Sequence, residues 1–201
     1  GVPLMFFGPG KIPVGLYDRF AITDLNEDEA LVRKNARFTA EGAICKIMER
    51  LPLAFDGLHC LVVGYGRIAQ ALHRMLDGLN ACVTVAARRE DARKQAQSGG
   101  AKAVDMGQIA DAIAAQRVVF STPPERVLGE AELLHAREGA LVMDLSSPPF
   151  GVDLDAAQRL GLEAWREPGL PGRYCPQSAG IALFEAVRTA LKRDGGVFRG
   201  V

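Results

Sequence analysis

The residues best suited to chemistry stand where Leu61-Val62-Val63 runs into Gly64-Tyr65-Gly66-Arg67-Ile68-Ala69. A hydrophobic strand, a G-x-G-x-x-A turn and a helix in that order form a site for a pyrophosphate. Gly64 allows the sharp turn off the strand, and Gly66 lets the backbone approach the phosphates. Ala69, in place of a third glycine, still permits close helix–strand packing. The N–H groups opening the helix then face the anion, with the helix dipole behind them. Gly64, Tyr65, Gly66, Arg67 and Ile68 are therefore the first candidate cofactor contacts. Glycine turns also end strands for purely structural reasons, so the flanking residues must decide.

Several flanking groups bear on that decision. Arg88 follows Ala86-Ala87 and lies 24 residues beyond Gly64. NAD-preferring folds place an acid near that position to take the ribose hydroxyls. Here Arg88 and Arg89 stand there instead, and a guanidinium fork suits a 2′-phosphate that a carboxylate would repel. NADP is the expected cofactor, with NAD as the alternative; the rival reading is a solvated start to the next helix. Ser121, Thr122 and Pro123 sit where a strand leaves the sheet, beside the crevice that would hold the dinucleotide. They serve equally as a strand stop. Asp144 ends another strand and either orients a ligand or caps its own turn. In the loop that feeds the last helix, Ser178 is a candidate N-cap and cofactor contact. Cys175 stands beside that helix start, where a thiol pKa can be lowered, although an unreactive loop thiol is the plainer reading. Asn35, Thr39, Glu41 and Gly42 share about one turn of an earlier helix, and Glu41 is a candidate acid or base.

The elements that must position these groups are readable from hydrophobic patterning. Strands are expected at residues 59–63, 81–87, 101–104, 117–120, 140–145 and 162–165. Helices are expected at 68–79, 90–97, 108–115, 130–134, 154–160 and 178–192. The strands are rich in Val, Leu and Ala with little alternation, as suits strands buried on both faces. The alternation predicts an α/β fold with a doubly wound parallel sheet. Before it, residues 1–26 read as the remnant of an N-terminal domain. Residues 27–52 read as a linking helix, broken near 36–38 and ended by Pro52. Residues 53–201 form the nucleotide-binding domain.

Composition excludes other classes. The 201 residues carry 24 basic and 24 acidic side chains, so no basic surplus points to nucleic acid or an anionic membrane. No apolar run approaches the ~20 residues of a membrane helix. The first residues hold no basic region of a secretory leader. The chain opens on Gly1 rather than Met, and an upstream part is expected. Cys45, Cys60, Cys82 and Cys175 form no C-x-x-C pair and no ligand spacing with His59, His73 or His135. No metal site is expected, and reduced cytoplasmic thiols are.

Five motifs in order bring in a family. They are Asn35-Ala36-Arg37-Phe38-Thr39-Ala40-Glu41-Gly42-Ala43-Ile44, Val62-Val63-Gly64-Tyr65-Gly66-Arg67, Ala86-Ala87-Arg88, and Met143-Asp144-Leu145-Ser146-Ser147. The fifth is Glu167-Pro168-Gly169-Leu170-Pro171-Gly172 with Cys175-Pro176-Gln177-Ser178-Ala179-Gly180. Over about residues 20–192 the chain resembles the dipicolinate synthase A family of endospore-forming bacteria. It departs from the family's pattern at Phe38, usually Pro. It departs again at Pro148-Pro149-Phe150-Gly151-Val152-Asp153, where the family tends to read Arg-Pro-Gly-Gly-Thr-Asp.

The resemblance implies a Rossmann domain facing a smaller domain across an active cleft, together with a second, flavoprotein-like subunit. It implies oxidation of a dihydrodipicolinate-type precursor to pyridine-2,6-dicarboxylate, with NADP as hydride acceptor, in the mother-cell cytoplasm during sporulation. A dicarboxylate substrate wants cationic or N–H partners, for which Arg67 and the 168–172 backbone are candidates. Asn35, Thr39, Gly169, Leu170 and Pro171 are the expected substrate contacts, Glu41 and Asp144 the catalytic candidates, and a homo-oligomer is expected. Two rivals stay open. One is another NAD(P)-dependent dehydrogenase of the hydroxyacid or methylene-tetrahydrofolate type, and the other is a non-catalytic NADP-sensing module.

Overall fold

The computed structural model describes residues 4–7, 12, 14–20 and 22–193. Parts of the expected N-terminal remnant, and the last eight residues of the expected nucleotide domain, lie outside them. Strands β1 (Leu4–Phe6) and β2 (Ile22–Asp24) pair in parallel, with a short helix α1 (Val14–Tyr17) between them. Helix α2 (Glu29–Arg50) follows, capped by the Asp28 carboxylate, which accepts the Leu31 N–H at 3.0 Å.

Alternation then builds β3 (His59–Val63), α3 (Arg67–Gly78), β4 (Cys82–Ala86), α4 (Glu90–Ser98) and β5 (Lys102–Val104). It continues through α5 (Ile109–Ile113), β6 (Val118–Ser121), α6 (Glu130–Leu133), β7 (Leu141–Asp144), α7 (Leu154–Arg159) and β8 (Glu163–Arg166). Helices α8 (Leu170–Tyr174) and α9 (Pro176–Arg193) close the described chain.

Strands β3 to β8 form one parallel sheet in the order β5-β4-β3-β6-β7-β8. Both faces are covered. Val62, Val85, Phe120 and Met143 pack with residues of α2, α3 and α4 on one side. Leu61, Val63, Val119 and Val142 pack with residues of α5, α6 and α7 on the other. Strand order reverses between β3 and β6, which opens a crevice at their carboxyl ends. This is the doubly wound Rossmann architecture expected from the patterning. No described helix is long and apolar enough to cross a membrane.

Three expectations change. Helix α2 runs unbroken through 36–38, and Thr39 satisfies its hydroxyl within the helix by donating to the Asn35 carbonyl at 2.8 Å. Helix α9 begins at Pro176, whose fixed φ suits a first helical position. Ser178 therefore lies inside the first turn and is not the N-cap. The helix expected at 108–115 is a 3₁₀ turn (Met106–Gln108) followed by the shorter α5.

Helix α2 does more than link. Ala40, Ala43, Ile44 and Ile47 are buried in the same core cluster as the sheet. Replacing the fully buried Ile47 by Ala is expected to cost about 2–5 kcal/mol. Urea denaturation should show the loss in a single transition that includes the sheet.

Candidate functional site

The site begins at the end of β3. Gly64 has φ +85°, and its N–H donates to the Ala86 carbonyl at 2.8 Å. A Cβ there would lie 2.6 Å from Thr122 Oγ, so both the backbone angle and the close approach require glycine. Thr122 Oγ in turn donates to the Val63 carbonyl at 2.8 Å, tying the ends of β3 and β6 together. Gly66 precedes α3, and a Cβ built on it would meet nothing within 4 Å. Space for a phosphate is left open there. Tyr65 is anchored by a 2.9 Å hydrogen bond between its hydroxyl and His73 Nδ1. His73 is buried, and burial pushes its pKa down against the opposing pull of Asp77.

A cavity of about 370 Å³ opens over this turn. Gly64, Tyr65, Gly66, Arg88, Arg89, Thr122 and Pro123 all line it, so most of the expected cofactor contacts meet in one place. Four do not. Ser121 is the last residue of β6, fully buried between Val63 and Asp144 in the sheet register. Ile68 faces a second, larger cavity instead. Ser178, inside α9, borders neither cavity. Arg67 also lies outside the smaller cavity, where Glu29 at the start of α2 accepts a hydrogen bond from its guanidinium. That guanidinium holds the Glu29 carboxyl below the usual carboxylate range. Arg88 spans from β4 to Glu125 at 2.6 Å, and Glu125 lines the same cavity.

The larger cavity, about 850 Å³, lies between α2, α8, α9 and the loop after β7. Asn35, Thr39, Gly169, Leu170 and Pro171, the five expected substrate contacts, all border it. The two catalytic candidates do not. Asp144 is 1% exposed, and its carboxylate accepts Ser146 N–H (3.0 Å), Ser146 Oγ (2.6 Å), Gly151 N–H (3.0 Å) and Val152 N–H (3.1 Å). Arg166 Nε stands 3.8 Å away. That geometry is a capped turn: the carboxylate shapes the loop and the loop lines the cavity. Glu41 is turned to Arg37 (3.4 Å) and accepts from the Cys175 thiol at 3.5 Å. The thiol pKa is raised, by burial first and by Glu41 second, so Cys175 is not the activated nucleophile that a helix start could make.

Sequence reasoning assigned no role to three wall residues. Glu167 is buried, accepts Trp165 Nε1–H at 2.9 Å, pairs with Arg173 and borders the larger cavity. Its ion pair holds the 168–172 loop in place. The motif around it was visible, but its pairing depends on β8 and α8 meeting in space. Phe150 borders the same cavity, and its departure from the family's glycine was the available signal. Glu125 carried no signal beyond following the Pro-Pro strand stop.

A parallel sheet in this order, with a glycine turn at the switch point, defines the class: a Rossmann dinucleotide-binding fold. Within it, the resemblance to dipicolinate synthase A holds over most of the chain. The chain is 26% identical over 170 residues to that protein from Bacillus subtilis (strain 168), covering 85% of this chain and 57% of the relative. The crystal structure of dipicolinate synthase A from Bacillus halodurans superposes with a TM-score of 0.84 at 27% identity, covering 88% of this chain and 61% of that one. The Bacillus subtilis crystal structure superposes at 0.87 with 23% identity, covering 95% and 65%, and at that identity it speaks to the fold alone. The chain thus spans about three fifths of the length of these relatives. No protein-family model matches it.

The buried imidazole carries a pH signature. Its folded pKa lies below the unfolded value of about 6.5. The stability it contributes is therefore full above that pH and is lost as pH falls through the folded value. The melting temperature is expected to drop as pH falls below ~6.5. His73→Gln should flatten that segment of the curve in differential scanning fluorimetry.

Proposed function

We propose that this chain is the dinucleotide-binding part of an NADP-linked oxidoreductase of the dipicolinate synthase A type. It forms pyridine-2,6-dicarboxylate from a dihydrodipicolinate-type precursor during sporulation, in the cytoplasm and together with a second, flavoprotein-like subunit. Residues 1–26 belong to the facing domain, 27–52 are the connecting helix and 53–201 the nucleotide domain. One observation carries the reading: the glycine turn, the Thr122-Pro123 strand exit and the Arg88-Arg89 pair line a single cavity.

The chain's own residues then have separable roles. The open backbone at Gly66 and the first N–H groups of α3 receive the pyrophosphate. Arg88, exposed and reachable, exchanges Glu125 for the 2′-phosphate. A nicotinamide dinucleotide bound there supplies hydride acceptance. Ile68, Asn35, Thr39 and the 168–172 loop hold the dicarboxylate in the adjoining cavity and exclude water from it. A specific observation favours a second reading, a non-catalytic NADP sensor. Among the described residues, the only ionisable side chain bordering the larger cavity is Glu167, already paired with Arg173.

Calorimetry and turnover test both readings. NADPH is expected to bind at least tenfold (about 1.4 kcal/mol) tighter than NADH, and Arg88→Ala should erase most of that difference. Equal affinities in the unmodified chain would overturn the assignment of the arginines. Gly66→Asp, which has room for a side chain, should keep the fold and abolish binding of both by charge repulsion. Dipicolinate formation in the presence of the flavoprotein-like subunit and precursor supports the enzyme. Tight NADPH binding with no turnover supports the sensor.

A further inference from the structure

Phe150 is an unusual residue for its place. Its φ is +73°, a backbone angle that glycine adopts freely and bulky side chains rarely do. Such a conformation persists only where its surroundings over-determine it, and it gathers at functional sites. Here the surroundings are plain. Asp144 Oδ2 grips the N–H groups of the next two residues, Gly151 and Val152, at 3.0 and 3.1 Å. Asp144 Oδ1 holds Ser146 at 2.6 Å, and the Phe150 N–H donates to the Ser147 carbonyl at 3.0 Å. The chain is tied on both sides of the strained residue.

The ring is fixed as well. The Arg166 guanidinium carbon lies 4.0 Å from its centroid, with Arg166 itself steered by Asp144 (3.8 Å) and the Val152 carbonyl (3.5 Å). Phe150 is half-buried and lines the larger cavity. A turn that needed only to reverse direction would be more stable with glycine here. A bulky aromatic kept in this conformation, on a cavity wall and backed by a cation, has another use.

We propose that Phe150, backed by Arg166, is a stacking wall that selects a flat, conjugated anionic ring over a puckered one. This rests on the dicarboxylate reading above and adds the residue that sets ring specificity. Aromatic faces pair best with flat partners in offset or edge contact, and the guanidinium behind the ring adds attraction for an anion. An oxidation that flattens the substrate ring gains this contact as the reaction proceeds, so Phe150 favours the flatter end of the reaction coordinate.

The test uses the 201-residue chain and two probes, pyridine-2,6-dicarboxylate and its saturated counterpart piperidine-2,6-dicarboxylate. Calorimetric titration should show the unmodified chain preferring the aromatic acid by about tenfold (about 1.4 kcal/mol). Phe150→Gly and Phe150→Leu should bring the two acids within about threefold of each other, mainly by weakening the aromatic one. The melting temperature of Phe150→Gly should not fall, since glycine accepts the backbone angle. Phe150→Leu carries the test if the glycine variant is unstable. A preference that survives both substitutions overturns the stacking wall and leaves the dicarboxylate reading standing. Equal affinities in the unmodified chain do the same. Failure of the unmodified chain to bind either acid overturns the dicarboxylate reading, and this inference with it.

Discussion

Five backbone hydrogen bonds at the carboxyl edge of the sheet set the position of everything at the site. Ala87 donates to Val104 (3.1 Å), Gly64 to Ala86 (2.8 Å), Thr122 to Val63 (3.1 Å), Leu145 to Ser121 (2.8 Å) and Glu167 to Asp144 (3.1 Å). Each donor is the first residue to leave its strand, and each acceptor ends the strand beside it. The parallel register therefore brings five loops to one level. All five donors line a cavity: Gly64, Ala87 and Thr122 at the smaller one over the glycine turn, Leu145 and Glu167 at the larger one. A one-residue slip in a single strand would turn its side chains to the opposite face and break this alignment. Burial on both faces prevents that slip, because the central strands have a core to fill on either side.

Asp144 extends the same constraint into the loop. Four N–H or hydroxyl donors converge on one buried carboxylate, so the 146–152 segment has little freedom left. Leaving those donors without an acceptor would cost several kcal/mol of desolvation. The carboxylate belongs to the scaffold that presents Ser146, Ser147 and Phe150 to the cavity. Glu167 plays the matching part at the end of the neighbouring strand, where Trp165 and Arg173 hold it beneath the 168–172 loop.

What was legible in the sequence was local. Gly64 and Gly66 declared a turn through their own backbone needs, and the Val-rich runs declared buried strands through composition. Ser121 and Asp144 show where that stops. Each stands beside a residue that lines a cavity, Thr122 and Leu145, and only the register decides which neighbour faces it. Asp144 had two readings in sequence because a strand-end carboxylate can serve a ligand or its own loop. The choice lies with Gly151 and Val152, seven and eight residues away. Ser178 failed as a cap for a simpler reason: Pro176 starts the helix two residues sooner.

The cations around the site are already paired, and this shapes what binding can gain. Arg88 and Glu125 are both more than half exposed, and such a pair stabilises by only about 0–1 kcal/mol. A phosphate accepting the guanidinium fork bidentately forms a stronger, charge-assisted contact. On the proposed reading, exchanging Glu125 for a 2′-phosphate is therefore favourable. Glu125 nevertheless stays on the cavity wall, where its charge opposes the phosphate that displaced it. Arg67 is likewise paired, with Glu29, in a contact that joins α3 to α2. Each arginine thus brings a counter-charge that keeps it folded against the protein when no anion is present. The net gain on binding is the difference between two ion pairs and not the full strength of one.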